Sequence, residues 1–162
     1  MISKEAEKLL ILVEKIEKTM SEIYGSLAIN QSFGDEVRRF WTTMMDSELE
    51  HVALFRNIRK KAQQDKAVQI ELNFNANHLM KSYQKIKKVQ KIVIGGELSE
   101  KQAYTLGANL EEKLHEFTFC KRIKSNNKNI MNGIRKVDED TKHHYFLLHN
   151  YSLDGLGSSI NR

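Results

Sequence analysis

An acid and a histidine stand at helical spacing inside an apolar stretch of this sequence. In FWTTMMDSELEHVALF, residues 40–55, Glu48 and His51 are three positions apart. At about 100° per residue, both lie within roughly 60° of the helix face that carries Trp41 and Phe55. A carboxylate on a buried face is costly when it is unpaired, because its charge has been taken out of water. The sequence therefore predicts a partner or a proton for Glu48.

Three other segments place an acid on an apolar helix face in the same way. Glu17 shares such a face with Tyr24, and Glu111 occupies the corresponding place in a later segment. In the last segment Asp140 is followed by His143 at the same three-residue spacing as Glu48 and His51. Four carboxylates and two imidazoles that converge in a helix bundle form the ligand set of a dinuclear metal centre. The predicted metal ligands are Glu17, Glu48, His51, Glu111, Asp140 and His143.

Charge balance favours metal ions as the partners of these acids. The negative charges of four carboxylates equal the positive charges of two divalent ions, and histidine adds neutral donors.

The two halves of the sequence also repeat this pattern, since Glu17 and the Glu48–His51 pair match Glu111 and the Asp140–His143 pair. The sequence therefore predicts a duplicated helix hairpin, with each half supplying one lone acid and one acid-histidine pair.

Five helical segments must position these residues. The chain has no proline and 8 glycines, which favours an all-α fold. Ser99 and Gln102 have the spacing of a capping box at the start of the fourth segment. Apolar periodicity predicts helices over about residues 4–29, 35–61, 77–94, 100–124 and 130–151.

The order of these helices predicts a ferritin-like four-helix bundle. Two helix hairpins joined by a crossover of about thirty residues have this connectivity, and the third helix lies within the crossover. An up-and-down bundle with an extra helix is the alternative. We expect one domain over residues 1–152 and a flexible C-terminal tail over residues 153–162.

Four segments resemble the rubrerythrin-like branch of the ferritin-like di-iron carboxylate family: EKTMSEIY, SELEHVALF, GANLEEKLHEF and DEDTKHHYFLL. The resemblance covers about residues 5–151. It implies two iron ions on the six predicted ligands, with manganese or zinc as alternatives, and a hydrogen bond from Tyr24 to a ligand carboxylate. It further implies an oxidoreductase that reduces peroxide or dioxygen, and a homodimer.

Composition limits the other partners. The single cysteine, Cys120, excludes an internal disulfide and a rubredoxin-type cysteine knuckle, so electrons would come from a separate donor protein. The apolar run LLILV is too short for a secretory core or a membrane span, and we expect a cytoplasmic protein with no membrane partner. The lysine-rich residues 81–91 are typical of a solvated helix face, so we expect no nucleic acid. A metal-free bundle that acts as an interaction or structural module remains the alternative function.

Overall fold

The computed structural model describes residues 2–73, 75–117 and 119–157, without the side chains of residues 114–120 and 153–157. This part of the chain is mostly helical, so the prediction of an all-α fold is confirmed. Its helices and strands are α1 (Lys4–Ala28), α2 (Asp35–Gln64), β1 (Ile70–Leu72), α3 (Ala76–Ile94), α4 (Glu100–Phe117), α5 (Phe119–Arg122), β2 (Ile123–Ser125) and α6 (Lys128–Gly157).

Local hydrogen bonds explain where three of the helices begin. Ser3 Oγ accepts from the backbone N–H of Ala6 at the start of α1, at 3.0 Å. The predicted capping box at the start of α4 is confirmed, because Ser99 Oγ accepts from the Gln102 N–H and Gln102 Oε1 accepts from the Ser99 N–H. Asn75 caps α3. These side chains satisfy backbone donors that have no partner within the helix.

The long helices pack in pairs around one core. α1 lies along α2, α4 lies along α6, and α2 also contacts α6. The crossover between α2 and α4 contains α3, as predicted, and α3 packs on α1. The largest fully buried side chains include members of three long helices, such as Leu10, Ile16, Trp41, Phe55 and Leu148. The centre of the core therefore receives side chains from helices far apart in sequence.

A glycine permits the close approach of α4 to α2 and α6. A Cβ atom at Gly107 would lie 2.9 Å from Trp41 Cη2 and 3.1 Å from a methyl carbon of Leu148. Contacts this short force neighbouring atoms to move, because protein interiors are close-packed. Gly107 therefore lets the helix that carries Glu111 lie directly against the Trp41 ring.

A short antiparallel ribbon joins the crossover to the connection between α4 and α6. Leu72 of β1 pairs with Ile123 of β2, and Ile70 pairs with Ser125. The prediction that the fourth helix continues to about residue 124 was wrong, because residues 123–125 form β2 instead. Ile123 is buried at the ribbon, so its apolar side chain is covered without continuing the helix.

The last helix is longer than predicted. α6 continues past Tyr151 to Gly157, and residues 158–162 of the predicted tail lie outside the described residues. No helix in the described ranges is both long and apolar enough to cross a membrane.

Candidate metal centre

Five acid and histidine side chains from four helices meet in the core. α1 supplies Glu17, α2 supplies Glu48 and His51, α4 supplies Glu111, and α6 supplies His144. All five are buried, and Glu48 keeps 1% of its surface exposed. They form two groups that have Glu48 in common: Glu17, Glu48 and His51 in one, and Glu48, Glu111 and His144 in the other. Within each group, one ligand atom from each residue lies within 4.8 Å of the others, so each group could hold a metal ion.

Glu48 stands between the two groups and offers one oxygen to each. Its Oε2 lies 3.1 Å from His51 Nδ1, and its Oε1 lies 3.1 Å from His144 Nδ1. The outer acids complete the groups, with Glu17 Oε2 at 3.7 Å from His51 Nδ1 and Glu111 Oε1 at 3.6 Å from His144 Nδ1. Ligands about 2.1 Å from one ion, at tetrahedral or octahedral angles, are about 3.0–3.4 Å apart. The observed spacings are close to that range.

Three atoms of the second group lack a hydrogen-bond partner. In the described part of the chain, buried Glu48 Oε1, Glu111 Oε2 and His144 Nδ1 make no hydrogen bond. The 3.1 Å contact between Glu48 and His144 is thus an ion pair without the alignment of a hydrogen bond. A buried polar atom without a partner costs about 1–3 kcal/mol. A metal ion held by this group would give such atoms a ligand in place of the missing hydrogen bonds.

Burial and mutual contact shift the pKa values of the cluster. Burial raises the pKa of Glu17 to about 8, and burial together with the charge of Glu48 raises the pKa of Glu111. For Glu48, contacts with both imidazoles outweigh burial and hold its pKa well below the usual value. Burial disfavours the charged imidazoles, but contacts with the acids raise the pKa of His51 to about 11 and that of His144 to about 10. Without metal, the raised pKa values favour protons on Glu17, Glu111 and both imidazoles, and these protons offset part of the negative charge of the cluster.

Two neighbouring side chains orient the cluster. Tyr24 donates its phenolic hydrogen to Glu111 Oε1 at 2.5 Å, so the predicted bond from Tyr24 to a carboxylate across the core is confirmed. Asp140 Oδ2 lies 3.3 Å from His51 Nε2 and accepts a hydrogen bond from Lys136 Nζ at 2.7 Å. Metal-binding histidines usually donate their second ring N–H to a carboxylate or carbonyl, which fixes the tautomer and the ring orientation. Asp140 is placed to do this for His51.

The structure places the two predicted ligands of α6 elsewhere. His143 is exposed, and the adjacent His144 is the histidine that enters the cluster. Asp140 is half-buried beyond the His51 ring and belongs to neither group. The reason is the packing of α6, whose buried face also carries Ile134 and Leu148. At about 100° per residue, His143 points away from that face.

The alignment of the two hairpins therefore differs from the predicted one by one residue on α6. His51 of α2 corresponds to His144, not to His143. The spacing of buried residues on α2 matches α6 when His51 is aligned with His144. Glu48 then corresponds to Thr141, which is half-buried. The spacing of Ile134, Val137 and Leu148 was the sequence signal for this register. The second hairpin thus supplies no fourth carboxylate at the position that matches Glu48.

The acids of the cluster differ from an acid that forms an ordinary ion pair. Glu14, on the same helix as Glu17, accepts hydrogen bonds from Arg59 at 2.6 and 3.3 Å. Within the described residues, Glu17 and Glu111 instead contact imidazole and phenol groups. The pairing with lysine or arginine expected of a purely structural acid thus applies to Glu14.

Comparison of the chain with protein-family models, with curated proteins and with solved structures found no match. The function therefore has to be inferred from the site.

Proposed function

We propose that this chain is a rubrerythrin-like oxidoreductase with a dinuclear iron centre, which reduces peroxide or dioxygen with electrons from a separate donor protein. The proposed ligands are Glu17, Glu48, His51, Glu111 and His144. The observation that carries the proposal is the buried group of Glu48, Glu111 and His144, which brings its ligand atoms within 4.8 Å of one another and leaves a polar atom of each residue without a hydrogen bond.

The helix arrangement supports a ferritin-like bundle as the scaffold. α1 and α2 form one hairpin, α4 and α6 form the other, and the crossover between them contains α3. Each hairpin contributes one lone glutamate, Glu17 or Glu111, from its first helix and one histidine from its second. Dinuclear carboxylate sites in such bundles use a lone glutamate on two helices and a Glu-x-x-His pair on the other two, and this chain has that pattern except that Thr141 stands three residues before His144.

The donor set suits iron, manganese or zinc, and the proposed redox reaction requires iron. Carboxylate and imidazole ligands suit these ions better than the softer copper(I), which prefers thiolates. Bound iron supplies the change of oxidation state that peroxide or dioxygen reduction requires. Glu48 offers one oxygen to each ligand group, and the hydrogen bond from Tyr24 fixes the Glu111 carboxylate while leaving its Oε2 without a hydrogen bond.

The described chain supplies one carboxylate fewer than the sequence predicted. Three carboxylates leave two divalent ions with an excess of positive charge. Thr141 occupies the position on α6 that corresponds to Glu48 on α2, and its side chain has no carboxylate to balance this charge. An anionic oxidant such as deprotonated peroxide fits this charge, and the buried surroundings strengthen the attraction.

A metal-free helical module is the alternative function. The hydrogen bond between His51 Nδ1 and Glu48 Oε2, at 3.1 Å, favours it, because protons on the imidazoles can neutralise part of the cluster. In that case the polar contacts of the cluster would only select one arrangement of the packed helices, and metal would bind weakly or not at all.

Metal content separates the two functions. The protein is loaded anaerobically with Fe(II), passed through a desalting column and measured for iron by mass spectrometry. The test variant is Glu111→Gln, which keeps the size of the side chain and an acceptor for Tyr24. The matched control is Glu112→Gln, at the adjacent exposed position.

We expect close to two ions per chain in the parent and in Glu112→Gln, and clearly fewer in Glu111→Gln. Peroxide consumption by the loaded protein is the next assay, and it should follow the iron content. Equal iron in all three proteins, or none in the parent, contradicts the metal centre and favours the metal-free module.

A further inference from the structure

A groove lies open between two consecutive helices, α3 and α4. These helices pack on different partners, because α3 packs on α1 whereas α4 packs along α6. The groove has a volume of about 470 Å³, a size common among protein pockets for small molecules. Val89 of α3, Leu98 of the connection and the α4 residues between Lys101 and Lys113 line it. We call it the α3–α4 groove.

The floor of the α3–α4 groove is apolar and only partly covered by the chain. Val89, Leu98 and Leu106 are half-buried, since they pack against the core and also line the groove. Leu110, the residue before Glu111, adds a fourth apolar side chain to the lining. Apolar surface gains free energy when a ligand removes it from water. The floor therefore favours a ligand with a hydrocarbon part.

Two lysines stand at the ends of the α4 side of the groove. Lys101 and Lys113 are twelve residues apart, which is about 18 Å along a helix. Both are exposed, and in the described part of the chain neither forms an ion pair, whereas Lys136 of α6 pairs with two acids. The described lining of the groove includes no acid. The groove therefore offers positive charge beside an apolar floor.

We propose that the α3–α4 groove binds a linear fatty acid, with the alkyl chain on the apolar floor and the carboxylate at Lys101 or Lys113. The two features select this ligand together. A neutral hydrocarbon would make no use of the lysines, and a small anion would leave the floor in water. The net charge of +5 adds attraction for an anionic ligand. The site uses none of the proposed metal ligands, so it does not depend on the metal centre.

A second groove of the same volume, between α1 and α3, provides matched controls. It too combines apolar side chains with two exposed lysines, Lys8 and Lys15. Its lining also includes Glu5, which is three residues before Lys8 and so lies beside it on α1. The charge of Glu5 offsets that of Lys8. We therefore expect the second groove to bind a fatty acid more weakly than the α3–α4 groove.

Isothermal titration calorimetry with decanoate, below the concentration at which it forms micelles, measures the binding. We expect one decanoate per chain, bound about tenfold or more tightly than octanoate, because each buried methylene strengthens binding about fourfold. Decyltrimethylammonium has a chain of similar length and a positive head group. It should bind about tenfold or more weakly than decanoate, because the lysines repel it.

The first test variant reverses both charges of the groove and keeps its floor. It is Lys101→Glu/Lys113→Glu, and its matched control is Lys8→Glu/Lys15→Glu, which changes the net charge equally at the second groove. All four lysines are exposed, so both variants should fold, and circular dichroism checks this. We expect decanoate affinity to fall about tenfold or more in the first variant and to change little in the control.

The second test variant fills the groove without changing its charge. Asn109→Phe places a ring in the α3–α4 groove, and Asn77→Phe does the same in the second groove. Both asparagines are exposed, so neither substitution disturbs the core. We expect Asn109→Phe to lose decanoate binding and Asn77→Phe to retain it.

Several results would overturn the fatty-acid site. They are no decanoate binding in the parent, unchanged binding in Asn109→Phe, and equal affinity for decanoate and decyltrimethylammonium. Binding to phosphatidylglycerol vesicles but not to free decanoate would assign the groove to a membrane lipid instead. Sedimentation velocity tests the remaining occupant. A parent that binds no decanoate and is a dimer, with a monomeric Asn109→Phe variant, would show that a second copy covers the groove.

Discussion

Nδ1 of His144 on α6 lies 3.1 Å from Oε1 of Glu48 on α2. This contact joins the second hairpin to the first at the one carboxylate that belongs to both ligand groups. The neighbouring His143, which has the acid-x-x-His spacing in the sequence, is exposed. The contact of His144 with Glu48 therefore places His144, rather than His143, in a group that could hold a metal ion.

Replacing either of the two adjacent histidines of α6 should affect iron content differently. His144→Ala removes a donor from the second group, so we expect iron content to fall towards one ion per chain. His143→Ala removes an exposed side chain and should leave iron content unchanged. Mass spectrometry of both variants after Fe(II) loading is the measurement. Loss of iron in His143→Ala alone would restore the ligand set predicted from the sequence.

Asp140→Asn should weaken metal binding without abolishing it. The substitution weakens the acceptor that faces His51 Nε2 at 3.3 Å, and loss of such an outer partner typically costs 10–100-fold in metal affinity, here about tenfold or more. Asp138→Asn, which breaks a pair with Lys142, is the control. Competition with a coloured chelator measures the affinities. Equal affinities in the two variants would mean that Asp140 does not orient His51.

Thr141→Glu should strengthen metal binding. The new carboxylate would stand three residues before His144, as Glu48 stands before His51, and would offset the excess positive charge of two bound ions. In metal-free protein the same acid should lower the melting temperature, because it adds a half-buried negative charge. Thr141→Gln matches it in size without the charge. If both variants gain or lose metal affinity equally, charge at this position is not the cause.

The stability of the metal-free protein should fall as the pH rises. Burial raises the pKa of Glu17 from 4.5 to about 8, and contacts with the acids raise the pKa of His51 from 6.5 to about 11. The native state then binds more protons than the unfolded state, so the free energy of unfolding decreases with pH between these values. The lowered pKa of Glu48 acts in the opposite sense, and its contribution is lost as the pH falls below 4.5.

Urea unfolding across this pH range measures the effect. Glu17→Gln should flatten the curve between pH 4.5 and about 8, since it removes the titrating group. Iron binding should release protons in the same range, because the metal competes with protons for the ligands. A stability that rises with pH through this window would contradict the proton-bound cluster.

Gly107→Ala should destabilise the protein and disturb the Trp41 ring. The added Cβ would lie 2.9 Å from Trp41 Cη2, and overpacking of this kind typically costs about 1–3 kcal/mol. Gly25→Ala is a suitable control, because its Cβ would meet the flexible Met45 Sδ at 3.1 Å. Chemical unfolding followed by the fluorescence of Trp41 measures both. Equal stability of the two variants would show that α4 can move away from α2 at little cost.

Helix positions and faces were largely predictable where packing agrees with local periodicity. On α1, α2 and α4 the apolar residues repeat at helical spacing, which placed Glu17, Glu48, His51 and Glu111 on the buried side. The β1–β2 ribbon could not be found in this way, because three-residue strands are too short to show an alternating pattern. Their pairing also joins residues far apart in the chain.

The sequence by itself determined the helical class, the capping of α4 by Ser99, and the buried faces of three long helices. These features depend on interactions within a few residues, which composition and spacing record. Tertiary structure decided that His144 rather than His143 enters the cluster, that Asp140 faces the back of His51, and that Val89 of α3 and Leu106 of α4 line one groove. Each of these depends on how one helix is rotated against another, and that rotation is set by packing between residues distant in sequence.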